Sequence, residues 1–174
     1  MSPASDIRLL VLDMDGVMTD GAIVYDDAGR EIKAFYVRDG LAIKLWQRLG
    51  FACAIITGRG GGAAERRADE LGVRVVRQGS VDKAADLRAV AAEVGIPLSQ
   101  TAFMGDDWPD LAPMRICGYP MCPADAHADV AAVAAYRAGA PGGRGAVRDA
   151  VEHLLQAKDM LGRALRLYDT DHGT

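Results

Sequence analysis

The sequence predicts an α/β fold, a parallel sheet with helices on both faces, and three observations carry that expectation. Short apolar, β-favouring runs alternate with segments of helical periodicity, the order that builds a parallel sheet with right-handed crossovers. Acidic, hydroxyl or basic residues follow the ends of successive runs, as they do where strands empty into a ligand crevice. The 174 residues, half of them hydrophobic, suffice for one globular domain, expected to span 1–174.

Residues 7–12 (IRLLVL) read as a buried central strand, which places Asp13 and Asp15 of DMDG just past its C-terminal end. In residues 21–37, two β-favouring segments flank a polar turn at 26–29, predicting a β-hairpin that projects from the domain. Ile23, Tyr25, Ile32, Ala34 and Tyr36 can line its faces, and an exposed apolar surface there would suit a subunit contact. A helix over 40–49 stops at Gly50, and a second strand over 51–56 ends in Thr57-Gly58-Arg59. A helix over 63–71, a strand over 73–76, an alanine-rich helix over 83–94 and a strand over 101–104 follow, the last leading into GDDWPD. A fifth strand is expected over 116–121 and a long C-terminal helix over 144–167. The Ala/Val-rich stretch 124–140 has no clear period, although 128–135 reads as helical.

Twenty-four acids and 20 bases are mixed along the chain, with no basic run of the kind that tracks a phosphate backbone, so nucleic acid is not an expected partner. Cys53, Cys117 and Cys122 form neither CxxC nor a His-paired zinc spacing, and read as reduced thiols of a cytosolic protein. No apolar run approaches the roughly 20 residues that span a bilayer. The first six residues also lack the basic start and apolar centre of a signal peptide. A soluble cytoplasmic chain with no membrane partner is expected.

The polar features that follow the strands are Asp13 and Asp15, Thr57, Lys83, and then Asp106, Asp107 and Asp110. A carboxylate that attacks phosphorus needs its own charge and that of the phosphoryl group neutralised, which Mg²⁺ held by carboxylates and a fixed lysine do together. Asp13 is therefore the expected nucleophile, and Asp15 the acid that protonates the departing alkoxide and then the base that activates water. Asp106 is the expected second carboxylate ligand of Mg²⁺, beside Asp13 and the backbone carbonyl of Asp15, with Asp107 and Asp110 holding those ligands in place. Thr57 and Lys83 would hold the phosphoryl oxygens. Each feature alone has a simpler reading: DxD as a turn or cap, Thr57-Gly58 as a turn, Lys83 as a solvated helix residue. Their order, each late after an apolar run, points to one joint site.

DMDGVMTDG, ITGR, Lys83 and GDDWPD resemble the haloacid dehalogenase superfamily over nearly the whole chain. That resemblance implies a Rossmann-like fold and a phosphatase that works through a phospho-aspartate. VRDG at 37–40, Gly58-Arg59, Arg67, Gln78-Gly79, ADAH at 124–127 and GGRGAVRD at 142–149 further resemble the phosphatases of 3-deoxy-D-manno-octulosonate 8-phosphate, an acidic sugar phosphate on the route to lipopolysaccharide. The short interval from Asp13 to Thr57 has room for a hairpin and a helix but not for a cap domain. The resemblance implies the capless type, a homotetramer in which neighbouring subunits help to close each site. It also implies substrate contacts from Asp15, Tyr36, Val37, Arg38, Asp39, Gly40, Lys44, Gly58, Arg59, Arg67 and Lys83.

Arginines suit such a substrate because they hold carboxylate and phosphate bidentately. Arg59 and Arg67 also read as surface charges, Arg144 and Arg148 as surface charges or subunit bridges, and His127 as a capping or packing residue or a substrate contact. Tyr36, where relatives commonly carry Asn, and the glycines 60–62, where they carry lysines, depart from the pattern and bear on specificity rather than catalysis. A dehalogenase expels halide and needs no proton donor at Asp15, and a phospho-acceptor signalling domain places its acceptor Asp after a later strand. The remaining rivals are a phosphatase of a nine-carbon 2-keto-3-deoxy sugar acid 9-phosphate and a catalytically idle oligomerising module.

Overall fold

A computed structural model describes residues 3–169. Its centre is a six-stranded, wholly parallel sheet in the order β5-β4-β1-β6-β7-β8, with β1 (Leu9–Leu12), β4 (Ala52–Ile56), β5 (Val75–Arg77), β6 (Thr101–Met104), β7 (Tyr119–Cys122) and β8 (Tyr136–Arg137). β2 (Val24–Tyr25) and β3 (Glu31–Ile32) form a separate antiparallel hairpin. The helices are α1 (Val37–Arg48), α2 (Gly62–Leu71), α3 (Lys83–Val94), α4 (Leu111–Ile116), α5 (Ala128–Val133), α6 (Ala146–Ala157) and α7 (Leu161–Arg166).

The apolar runs become central strands because both of their faces are covered. Leu10, Leu12, Ile55, Ala102 and Met104 pack with α1, α2 and α6 on one face, while Leu9, Val11, Ala54, Ile56 and Phe103 pack with Leu87 and Val90 of α3, Met114 of α4 and Val130 of α5 on the other. That period of two is the pleat of a strand buried on both sides. Trp46 anchors the α1 layer: fully buried, it stacks on Phe51 at 4.3 Å and its indole N–H donates to the Ala52 carbonyl at 2.7 Å.

Leu12 of β1 lies opposite both Ile55 of β4 and Met104 of β6, so the strands end level with one another. The residues that follow them, Asp13, Thr57 and the 105–110 loop, consequently gather at one edge of the sheet. The hairpin stands beside that edge, its turn closed by Asp26, whose carboxylate accepts from the backbone N–H of Ala28 and Arg30. Ile23, Val24, Tyr25 and Ile32 are about half exposed on it, at 53%, 49%, 59% and 52%.

Several boundaries differ from expectation. α1 begins at Val37, directly after the extended Tyr36, and not at residue 40. The expected fifth strand over 116–121 is the end of α4 followed by β7, and the stretch without a clear period holds α5 and the edge strand β8. Instead of one helix over 144–167 there are two, α6 and α7. The chain turns between them at Asp159, whose φ of 54° is the only positive value at a non-glycine among the described residues. A short polar side chain tolerates that left-handed conformation. No helix among the described residues is long and apolar enough to cross a membrane.

Candidate active site

Asp13 continues the line of β1, its backbone N–H bonded to the Met104 carbonyl at 3.0 Å. The chain then turns sharply: Gly16 takes φ +84°, and a Cβ there would lie 2.0 Å from Asp106 Oδ2. Only glycine meets both demands, so the G of DMDG lets the loop after β1 nest against the loop after β6. Gly142 and Gly143 pack in turn on that first loop, where a Cβ at Gly142 would fall 1.9 Å from the Gly16 carbonyl oxygen. Thr57 is buried just past β4, with its N–H bonded to Arg77 O at 2.9 Å. Lys83 is the first residue of α3, whose N-terminus is capped by Asp82 through the N–H groups of Ala84 and Ala85.

These loops bring Asp13, Lys83, Asp106 and Asp110 together. Lys83 Nζ lies 3.0 Å from Asp13 Oδ2 and 2.6 Å from Asp110 Oδ1. The other oxygen of Asp110 accepts from the N–H of Asp106 at 2.9 Å and of Asp107 at 3.3 Å, so Asp110 is fully engaged in shaping the loop. Asp107 is exposed and caps the 3-10 turn Trp108–Asp110 through the Trp108 N–H. One carboxyl oxygen from each of Asp13, Asp106 and Asp110 lies within 4.8 Å of the others. Burial, and then the charge of Asp110, push the Asp13 carboxyl up to about 7 despite Lys83 beside it. Burial, and then the charges of Asp13 and Asp110, raise Asp106 to about 7. Burial alone would lower Lys83, but Asp13 and Asp110 outweigh it and hold the ammonium above its ordinary value.

Asp15 sits on the same cleft, whose volume is about 510 Å³ and whose wall also includes Thr57, Gly58, Arg59, Ser80 and Pro109. Its Oδ1 is ion-paired to Lys33. Lys33 is also 3.4 Å from Glu31, which binds Arg59 at 2.9 Å. Arg59 additionally reaches the Tyr25 hydroxyl at 3.5 Å.

The structure thus gathers Asp13, Asp15, Thr57, Gly58, Arg59, Lys83, Asp106, Asp107 and Asp110 at one cleft, and it places the other candidates elsewhere. Val37 and Arg38 are exposed at the start of α1, with Arg38 over the Tyr36 ring at 5.9 Å. Asp39 is turned inward: its carboxylate accepts from Gly145 N at 3.2 Å and Arg148 N at 2.8 Å, tying α1 to the start of α6. Burial raises its pKa, against the lowering effect of those two bonds. Gly40 makes room for the Arg67 guanidinium, which would lie 2.2 Å from a Cβ there and sits 5.4 Å over the Phe35 ring. Lys44 borders a shallow depression between α1 and α2. His127 caps α5 through the Asp129 N–H, Arg148 pairs with Glu152, and exposed Arg144 lies 3.9 Å from Asp20.

Glu31, Lys33 and Ser80 were not among the sequence candidates. For Lys33 a signal existed: Glu31 and Lys33 alternate with the apolar Ile32 and Ala34, as the two sides of an extended segment do.

A profile of haloacid dehalogenase-like hydrolases matches residues 74–141. Over 164 residues the chain is 40% identical to 3-deoxy-D-manno-octulosonate 8-phosphate phosphatase of Yersinia pestis, covering 94% of this chain and 88% of that one. The chain belongs to the haloacid dehalogenase-like hydrolases. Two solved members of the family superpose on it closely. The Moraxella catarrhalis octulosonate phosphatase, in complex with magnesium ion, phosphate ion and a KDO molecule, has a TM-score of 0.93 at 38% identity, over 96% of each chain. The cobalt-bound Haemophilus influenzae enzyme has a TM-score of 0.90 at 33% identity, over 99% of this chain and 98% of that one.

The cluster here fits a hard divalent cation. Three carboxylates face a single lysine, burial and the neighbouring carboxylates raise the pKa values of two of them, and Asp13 Oδ1 is buried with no hydrogen-bond partner among the described residues. Oxygen-only, anionic donors are what Mg²⁺ takes.

Proposed function

We propose that this haloacid dehalogenase-like hydrolase is a Mg²⁺-dependent phosphatase that converts 3-deoxy-D-manno-octulosonate 8-phosphate to the free sugar acid and phosphate. The observation that carries the reading is the convergence of Asp13, Asp15, Thr57, Lys83 and Asp106 on one cleft. The similarity to octulosonate phosphatases over nearly the full chain supports the substrate.

Asp13, Asp106 and the backbone carbonyl of Asp15 would hold Mg²⁺, which would supply the positive charge that lets an anionic nucleophile approach an anionic phosphoryl group. The Asp13 carboxylate attacks phosphorus and the bond from phosphorus to the sugar oxygen breaks, with Asp15 giving its proton to the departing alkoxide. Lys83 and Thr57 hold the phosphoryl oxygens as charge shifts onto them. Water then attacks the phospho-aspartate at phosphorus, Asp15 takes the proton from that water, and the bond to Asp13 breaks to release phosphate. Asp110 keeps Lys83 and the 105–107 backbone in place through both steps.

Arg59, on the cleft wall, reads the sugar-acid end of the substrate. The chain works as one capless domain in a cytoplasmic homotetramer, on the route that supplies the octulosonate for lipopolysaccharide. Neighbouring subunits cover the apolar side of the hairpin and help to close each cleft. Tyr36, Val37, Arg38, Gly40, Lys44 and Arg67 take part in recognition only in that closed assembly. Phosphate release from the octulosonate 8-phosphate, a nine-carbon sugar acid 9-phosphate and a hexose phosphate, with and without Mg²⁺, tests the reading. A Mg²⁺-dependent preference for the octulosonate supports it; a preference for the nine-carbon acid, or no turnover of any of them, overturns it.

A further inference from the structure

The hairpin does more than offer an apolar surface, because it also brings a buried cation to Asp15 on the cleft wall. Lys33 lies one residue past β3, and its side chain is only 3% exposed. A buried ammonium is tolerated only when paired, and both partners of Lys33 are carboxylates: Asp15 Oδ1, and Glu31 Oε1 at 3.4 Å. Glu31 and Lys33 are two residues apart in extended chain and so project to the same side, while Ile32 between them is 52% exposed. The second oxygen of Asp15, Oδ2, is buried and has no hydrogen-bond partner among the described residues.

We propose that Lys33 is a positioning residue for Asp15: by holding Oδ1 it fixes the rotamer of the carboxyl group that carries the proton to and from the reacting groups. Glu31 steadies Lys33 from the other side and ties it to Arg59 on the cleft wall, 2.9 Å away. The hairpin therefore sets the geometry of the acid–base step, 18 residues along the chain from the residue that performs it. The inference rests on the acid–base role proposed above for Asp15.

Leaving groups provide the test. A sugar alkoxide needs a proton as it departs, whereas p-nitrophenolate does not, and kcat/KM reports the steps up to that departure. With Mg²⁺ saturating, Lys33→Met should lower kcat/KM for the octulosonate 8-phosphate by about 10- to 100-fold, the scale of a misplaced catalytic group, and leave p-nitrophenyl phosphate nearly unchanged. Lys33→Arg should restore part of the loss. Because Lys33 acts only through Asp15, the double variant Lys33→Met/Asp15→Asn should be no slower than Asp15→Asn alone. Equal losses on the two substrates, or additive losses in the double variant, would make Lys33 a stabiliser of the hairpin and overturn the proposal. If Asp15→Asn discriminates between the leaving groups and Lys33→Met does not, only the positioning role falls; if Asp15→Asn does not discriminate, the acid role of Asp15 falls and takes the positioning role with it.

Discussion

The Lys83 ammonium and the Asp110 carboxylate form a buried pair, 2.6 Å apart, with their side chains 7% and 1% exposed. Asp110 spends its other oxygen on the backbone of Asp106 and Asp107. The lysine that faces the nucleophile and the loop that carries the Asp106 carboxylate are thus fixed by one side chain.

Removing the lysine would leave Asp13 and Asp110 without their shared ion-pair partner. Lys83→Met is expected to cost about 3–5 kcal/mol of stability without metal, the scale for breaking a buried ion pair. Mg²⁺ should return part of it. Turnover should drop at least about 100-fold, as when one transition-state charge donor is lost. Urea denaturation with and without Mg²⁺, alongside phosphate release, checks both effects.

Asp13 and Asp106 are each held at about 7 in the folded chain, chiefly by burial and next by neighbouring carboxylates. In the unfolded chain an aspartate releases its proton near ~3.9. Between those values the folded chain binds more protons, so these two groups favour folding most at the acid end. Their contribution is lost as pH rises through about 7. A cation bound to the ionised forms reverses that loss, so the rise in Tm caused by Mg²⁺ should be larger at about pH 8 than at about pH 6. Thermal melts under the four conditions read this directly, and equal rises would contradict it.

Asp39 joins α1 to α6 through the N–H groups of Gly145 and Arg148. Asp39→Ala should destabilise the protein by about 1–2 kcal/mol, as loss of a helix cap does, and change KM little. Denaturation and steady-state kinetics on the same variant separate this role from the substrate contact that the family resemblance implies.

Asp39 also shows where the sequence stops being readable. The strand-end residues Asp13, Thr57 and Asp106 were legible because apolar runs buried on both faces announce central strands, and parallel strands bring their ends together. Asp39 sits in a polar helix start, and its partners lie 106 and 109 residues away, a distance at which spacing carries no signal. β8 was hidden because it is two residues long and pairs only with β7, so neighbours rather than its own period define it. The break at Asp159 was hidden because the hydrophobic pattern continues through it into α7, and one aspartate does not mark a turn.

The central claim is that Asp13 carries the phosphoryl group, and it can be tested at that atom. Enzyme mixed with substrate and Mg²⁺, quenched within a turnover and treated with borohydride, should yield a peptide with homoserine at position 13, because hydride reduces an acyl phosphate to the alcohol. Asp13→Asn should yield none and should not turn over. Homoserine at another aspartate, or full turnover by Asp13→Asn, would contradict the account.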